Sequence, residues 1–137
     1  MTGWPGIEAG TAIPPLVRAI GLPDMIAYAG ATWDWHRLHY DRDYLASRKL
    51  SRPVVDGQLF GALLVELVQD WLGPEAFVCQ LDFRLAGLVF AGETVRCEGE
   101  VVQVTPDTIT AALRTIVTGS QERVAVSAAS AVVRRYG

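Results

Sequence analysis

The sequence is short of the residues on which several function classes depend. Its two cysteines, Cys79 and Cys97, belong to no Cys-x-x-Cys pair and no Cys/His cluster, so neither a disulfide framework nor a structural zinc centre organises the chain. Both fall in segments that read as strands, where cysteine is expected to serve as a small buried hydrophobe. Basic residues are not in excess: 12 Lys and Arg against 15 Asp and Glu give a net charge of −3, without the broad positive footprint of a nucleic-acid binder. Apolar runs are broken by Glu, Gln, Asp or Gly before they reach membrane-spanning length, and no membrane partner is expected. The first residues lack the basic start, apolar centre and small-residue cleavage pattern of a secretory signal, so a cytoplasmic setting is the expectation. There is no Gly-x-Ser-x-Gly elbow to suggest a serine hydrolase, and no internal repeat or low-complexity tract.

What is present is a chain of 137 residues, half of them hydrophobic, which is enough for one core but little for an enzyme that must also enclose a substrate. Oligomerisation is therefore expected. Residues 1–22 are rich in Gly and Pro and read as an irregular lead-in, leaving residues 23–137 as a single domain. Met25 to Thr32 suits a first strand, and Asp41 to Lys49 a short helix with an acidic first turn and a basic last turn. A loop through Ser51 to Asp56 precedes the strongest helix, Gln58 to Leu72, which is free of proline and stops at Gly73-Pro74. Its stripes Leu59, Leu63, Leu67, Trp71 and Phe60, Leu64, Val68 leave most of its circumference apolar, so it needs wrapping. The wrapper follows as Ala76 to Leu85, Glu93 to Val104, Thr108 to Thr118 and Arg123 to Arg134, β-rich runs separated by the turn signals Thr105-Pro106-Asp107 and Gly119-Ser120-Gln121. In the second run Val95, Cys97, Gly99 and Val101 alternate with Arg96, Glu98, Glu100 and Val102, the period of a strand buried on one face. An α+β domain with an antiparallel sheet curled around one long helix is the expected architecture.

The chemistry is concentrated in two neighbouring segments. Asp34 and His39 stand five residues apart just before the short helix, close enough to converge on one water. Pro53-Val54-Val55-Asp56-Gly57 then leads into the long helix, whose first amides have no intrahelical partners and can receive the oxygen of a polarised carbonyl. An acid, an imidazole and a helix N-terminus together suggest adding or removing water beside a carbonyl.

The order of these elements resembles the hot-dog fold, and the loop Trp33-Asp34-Trp35-His36-Arg37-Leu38-His39 resembles that of MaoC-like enoyl-CoA hydratases and dehydratases, which usually reads Gly-Asp-x-Asn-Pro-x-His. Asp and His keep their spacing. The Gly, Asn and Pro positions are held by Trp33, His36 and Arg37, and the usual His-Gly before the central helix is Asp56-Gly57. A narrower similarity, carried by Ala31-Thr32-x-Asp34-x4-His39-x-Asp41-Arg42-Asp43 and Asp70-Trp71-x-Gly73-Pro74, is to the small MaoC-like subunits of actinobacterial steroid side-chain hydratases, and it runs over most of residues 24–134. The resemblance implies hydration or dehydration of a 2-enoyl-CoA thioester, possible in such systems with a bulky steroid-derived acyl chain. It also implies a homodimer, or a heteromer with a second MaoC-like chain, with pockets at the interface. No cofactor beyond the CoA of the substrate is implied. Asp34 would act as base and His39 as proton donor, the reverse division staying open; the Gly57 amide would face the thioester oxygen, and His36 and Asp56 would contact substrate nearby.

Each of these residues also has a plainer role available. Asp34 can cap a turn, His39 can anchor a loop, Asp56 can cap the long helix, and His36 can be a partly exposed loop residue. Trp33 and Trp35 are expected to pack rather than stack on a ligand. Arg37, Arg42, Arg48, Lys49 and Arg52 form either a solvated face or contacts to a phosphate-bearing substrate. His36, His39, Asp34 and Asp41 lack the further ligand of a zinc site, so no metal is expected. Within the same fold, a thioesterase and a non-catalytic subunit that completes a partner's pocket are the competing functions.

Overall fold

The apolar circumference of the long helix dictates the architecture. In the computed structural model, which describes residues 3–136, helix α3 (Gly57–Leu72) buries Phe60, Gly61, Leu63, Leu64, Leu67 and Val68. The surface that receives them is one antiparallel sheet made of β1 (Ala12–Ala19), β2 (Ala76–Leu85), β3 (Thr94–Val104), β4 (Thr108–Val117) and β5 (Arg123–Arg135), in the spatial order β1-β3-β4-β5-β2. Two shorter helices, α1 (Leu22–Thr32) and α2 (Arg42–Ser47), carry the chain from β1 to α3. This is the hot-dog arrangement, an α+β fold in which the sheet wraps a central helix. On β3 the side chains of Val95, Cys97 and Val101 enter the core, as their alternation predicts. At Gly61 the helix lies so close to β2 that a Cβ atom would stand 2.8 Å from the ring of Phe83. The β3–β4 hairpin closes at the expected turn, where the hydroxyl of Thr105 accepts the amide of Thr108 at 3.0 Å.

Three expectations are corrected. Met25 to Thr32 is helical, because Pro23 sits in the first turn, Asp24 accepts the Gly21 amide at 2.9 Å, and Met25 and Ala29 bury one face at helical spacing. Alternation of small residues had mimicked a strand there. Residues 12–19, expected to be irregular, form β1. Pro14 and Pro15 are accommodated at a register shift between Ile13 and Leu16 on an edge strand, where missing amide donors are tolerated. Cys97 is buried as expected, but Cys79 is exposed, since it occupies the register shift between Val78 and Gln80 in β2 and turns out of the packed face. No helix among the described residues is long and apolar enough to cross a membrane.

Candidate active site

The site is assembled by three chain reversals. Helix α1 ends at Trp33, whose backbone adopts the left-handed conformation (φ 58°, ψ 33°), and the amide of Asp34 returns to the carbonyl of Ala29 at 3.2 Å. That conformation favours glycine, the residue usual at this position in the loop pattern. Trp33 is 79% exposed and, contrary to expectation, is largely unpacked, its ring standing edge-on to that of Trp35 with centroids 6.1 Å apart. Trp33→Gly is therefore expected to stabilise the fold by about 1 kcal/mol, raising the unfolding midpoint by roughly 3 °C. A thermal melt showing a lower midpoint than the wild type would contradict this account of the turn.

Beyond the turn, Asp34 accepts the His36 amide at 3.3 Å, and His36 Nδ1 accepts the Leu38 amide at 3.0 Å, opening a single 3-10 turn over Arg37–His39. His36 thus caps this turn and stays exposed, with its ring 5.6 Å from that of Tyr44. Asp41 is occupied as the cap of α2, bonding the amides of Asp43 and Tyr44 and the guanidinium of Arg37. The third reversal, at residues 53–56, is laced to its neighbours: Val54 N–H reaches Leu38 O at 3.1 Å, Val55 N–H reaches Val89 O at 2.7 Å, and Ala91 N–H reaches Pro53 O at 2.9 Å. This lacing carries Asp56 and the start of α3 to the same place as the 3-10 turn.

His39 lies where the segments meet. Its Nδ1 stands 2.7 Å from the carbonyl oxygen of Val54. Because a carbonyl can only accept, Nδ1 carries the hydrogen, and in the neutral ring Nε2 is left with a free lone pair. Nε2 is 4.0 Å from Asp34 Oδ2 and 3.9 Å from Asp56 Oδ2. The three side-chain atoms lie within 4.8 Å of one another, too far apart for direct hydrogen bonds and well placed to share one small polar molecule. Asp34 and His39, singled out from the sequence, are brought together. His36 and Asp41 are not part of the group, and Asp56 is.

The two carboxylates have opposite environments. Asp34, with 38% of its side chain exposed, is held below the ordinary carboxylate range by its interaction with the neighbouring Asp56 carboxyl and by the hydrogen bond it accepts from the His36 amide. Asp56, with 14% exposed, is pushed up by burial and by its proximity to Asp34, against the opposing pull of the Gln58 amide and His39. Its Oδ1 caps α3 by accepting the Gln58 amide at 2.9 Å, as the plainer reading expected. Its Oδ2 is buried and has no hydrogen-bond partner among the described residues. Tyr28, on α1, feels the same pair: burial and then the charges of Asp56 and Asp34 push its phenol up. Sequence reasoning missed Tyr28 because its segment read as a strand, in which its direction was undefined.

A mostly apolar cleft of about 380 Å³ opens beside this group, lined by His39, Gly57, Phe60 and the 85–89 segment. The Gly57 amide, first in α3, has no acceptor among the described residues. Leu85 covers the space that a side chain at Gly57 would need, with Cδ1 only 2.3 Å from an ideal Cβ position. The basic residues nearby are largely engaged with the protein itself: Arg37 and Arg48 lie over the Tyr44 ring, and Arg52 over Phe90. As to metals, Asp34, His39 and Asp56 supply one histidine and two carboxylates, a donor set that a divalent cation accepts only after contracting from these separations.

Comparison with known proteins identifies relatives of this chain. The family described as MaoC like domain matches residues 14–122. The 3-oxo-4,17-pregnadiene-20-carboxyl-CoA hydratase beta subunit of Mycobacterium tuberculosis is 32% identical over 100 residues, spanning 72% of this chain and 78% of the relative. The (R)-specific enoyl-CoA hydratase of Aeromonas caviae is 30% identical over 103 residues, 73% of this chain and 75% of the relative. Among solved structures, the (R)-hydratase from A. caviae involved in PHA biosynthesis superposes with a TM-score of 0.87 at 26% identity, covering 97% of this chain and 100% of that one. A chain of the ChsH1-ChsH2 complex from M. tuberculosis superposes with a TM-score of 0.84 at 26% identity, covering 94% and 98%.

Proposed function

This chain belongs to the MaoC-like family, and from that premise we propose that it hydrates the Cα=Cβ bond of a 2-enoyl-CoA, or dehydrates the 3-hydroxyacyl-CoA in reverse. The observation that carries the reading is that Asp34 stands 4.0 Å from Nε2 of His39, and that His39 and Gly57, at the start of α3, line one apolar cleft. Hydration needs a base for water, an acid for Cα and a donor for the enolate oxygen. Asp34, held ionised, takes the proton of the water whose oxygen bonds to Cβ. His39, able to exchange protons only through Nε2, delivers one to Cα. The Gly57 amide and the positive end of α3 receive the charge that develops on the thioester oxygen. His36, turned to its own 3-10 turn, has no part in these steps. The apolar wall of the cleft excludes competing water and suits an acyl chain.

The steroid-derived acyl group belongs to this proposal as its finer part, supported by the similarity to the mycobacterial 3-oxo-4,17-pregnadiene-20-carboxyl-CoA hydratase beta subunit. So does assembly with a second MaoC-like chain. The free edge of the sheet at β2 offers ten residues without proline, whereas the opposite edge, β1, carries Pro14 and Pro15. Pairing through β2, in a homodimer or a heteromer, is the arrangement this asymmetry favours.

The test is product analysis. Purified protein, alone and with candidate MaoC-like partners, is expected to convert a 2-enoyl-CoA into its 3-hydroxyacyl-CoA with the thioester intact, and a steroid side-chain enoyl-CoA faster than a short linear one. Release of free CoA thiol without a hydroxylated thioester would instead identify a thioesterase. Activity that appears only with a partner, and survives removal of both Asp34 and His39, would identify a non-catalytic subunit.

A further inference from the structure

Three acceptors gather within 4.8 Å of one another beside the cleft that His39 lines: a carboxylate oxygen of Asp34, the Nε2 lone pair of His39 and the buried Oδ2 of Asp56. A water placed among them brings two hydrogens, so one of the three groups must itself carry a proton for the arrangement to be satisfied. We propose that Asp56 is a positioning residue of the hydration reaction, resting on the hydratase reading above: its Oδ2 stores that proton and supplies it to Nε2 of His39.

The geometry selects Asp56 for this role over its neighbours. Its Oδ1 is occupied by the Gln58 amide, which leaves Oδ2 as the protonable oxygen, and Oδ2 is shielded from solvent at 3.9 Å from Nε2. His39 cannot take a proton from the other side, because Nδ1 is tied to Val54 O. Asp34 is the more exposed carboxylate and the one held ionised. The groups acting on Asp56 are Asp34 from the loop after α1, His39 from the 3-10 turn and the Gln58 amide of its own helix, with the charge of Asp56 felt in turn by Tyr28 of α1. Two carboxylates whose surroundings drive their proton affinities apart divide base from acid. The proton count closes. Asp56 first protonates Nε2, which gives that proton to Cα while Asp34 takes one from the water that adds to Cβ; the proton on Asp34 then returns to Asp56 through the next water. The net change is addition of one water across the double bond.

Asp56→Asn separates this role from helix capping, since Asn and Asp cap equally well, but the amide cannot exchange a proton. The variant is expected to melt within a few degrees of the wild type. Its kcat for 2-enoyl-CoA hydration should fall about 100-fold, with KM within about threefold. The limb on which wild-type kcat declines as pH rises should move to lower pH by about one unit, because the pair loses the carboxylate that shares its proton. A limb that stays in place overturns the proposal whatever the size of the rate change. An arm independent of turnover follows the aspartate carboxyl carbons by NMR. Asp56 should titrate above and Asp34 below the ordinary carboxylate range, and Asp34→Asn should bring Asp56 down. Ordinary titration of Asp56, unmoved by Asp34→Asn, overturns the proposal even in an active hydratase. Failure of the wild type to hydrate any enoyl thioester strikes the functional reading instead.

Discussion

Replacing His39 by Asn lowers kcat for enoyl-CoA hydration by roughly 1,000-fold, within the range expected when a positioned acid–base group is lost. Asn is the informative substitution because its amide can still donate to the carbonyl of Val54, which His39 holds at 2.7 Å, while nothing replaces Nε2. Alanine would also leave a half-buried carbonyl without a partner, costing about 1–3 kcal/mol and mixing stability with chemistry. Asp34→Asn should cost a similar factor. The double variant should be little worse than either single one, since base and acid serve the same addition step and neither works without the other. KM is expected to change by less than about fivefold in each case, because the cleft that holds the acyl chain is untouched. Steady-state kinetics on variants shown by circular dichroism to be folded decides the matter. Turnover within tenfold of the wild type in both single variants would remove the Asp34–His39 pair from the mechanism.

The largest loss of stability is expected from Leu64→Ala. Leu64 is completely buried, on the part of α3 enclosed by the sheet, with Phe60, Leu63, Leu67 and Val68 around it on the same helix. Truncation removes the transfer free energy of the lost carbons and leaves a cavity that a sheet closed around a helix cannot easily collapse. A loss of about 3 kcal/mol follows, or roughly 10 °C in the unfolding midpoint. At matched protein concentration, calorimetry should show this shift while kcat, measured well below the transition, stays near the wild-type value. A midpoint within 2 °C of the wild type would mean that α3 is not the packed centre of the domain. The contrast with Trp33→Gly is instructive, since a large exposed aromatic is removed there with an expected gain.

The parts of this molecule legible in the sequence are those fixed by local periodicity. Helix α3, the strands β2 to β5 and the turn at Thr105-Pro106-Asp107 were readable because apolar spacing and turn residues act over a few positions. The same logic failed for residues 25–32, where small residues satisfy either period and only the Pro23 and Asp24 start signals distinguish helix from strand. It failed also for β1, whose prolines argue against a strand unless the strand is known to lie at an edge. At the site, the spacing of Asp34 and His39 was visible and their convergence is observed. The orphaned Oδ2 of Asp56 was not visible.

By itself, then, the sequence determined which segments would be helix or strand wherever one period dominated, and that an acid and an imidazole would stand near a helix start. Tertiary structure alone decided which nitrogen of His39 faces the cleft, since the Val54 carbonyl that ties Nδ1 lies 15 residues away. It likewise decided the opposite proton affinities of Asp34 and Asp56. Those depend on burial and on distances between separate segments, which no local pattern encodes until packing brings the segments together.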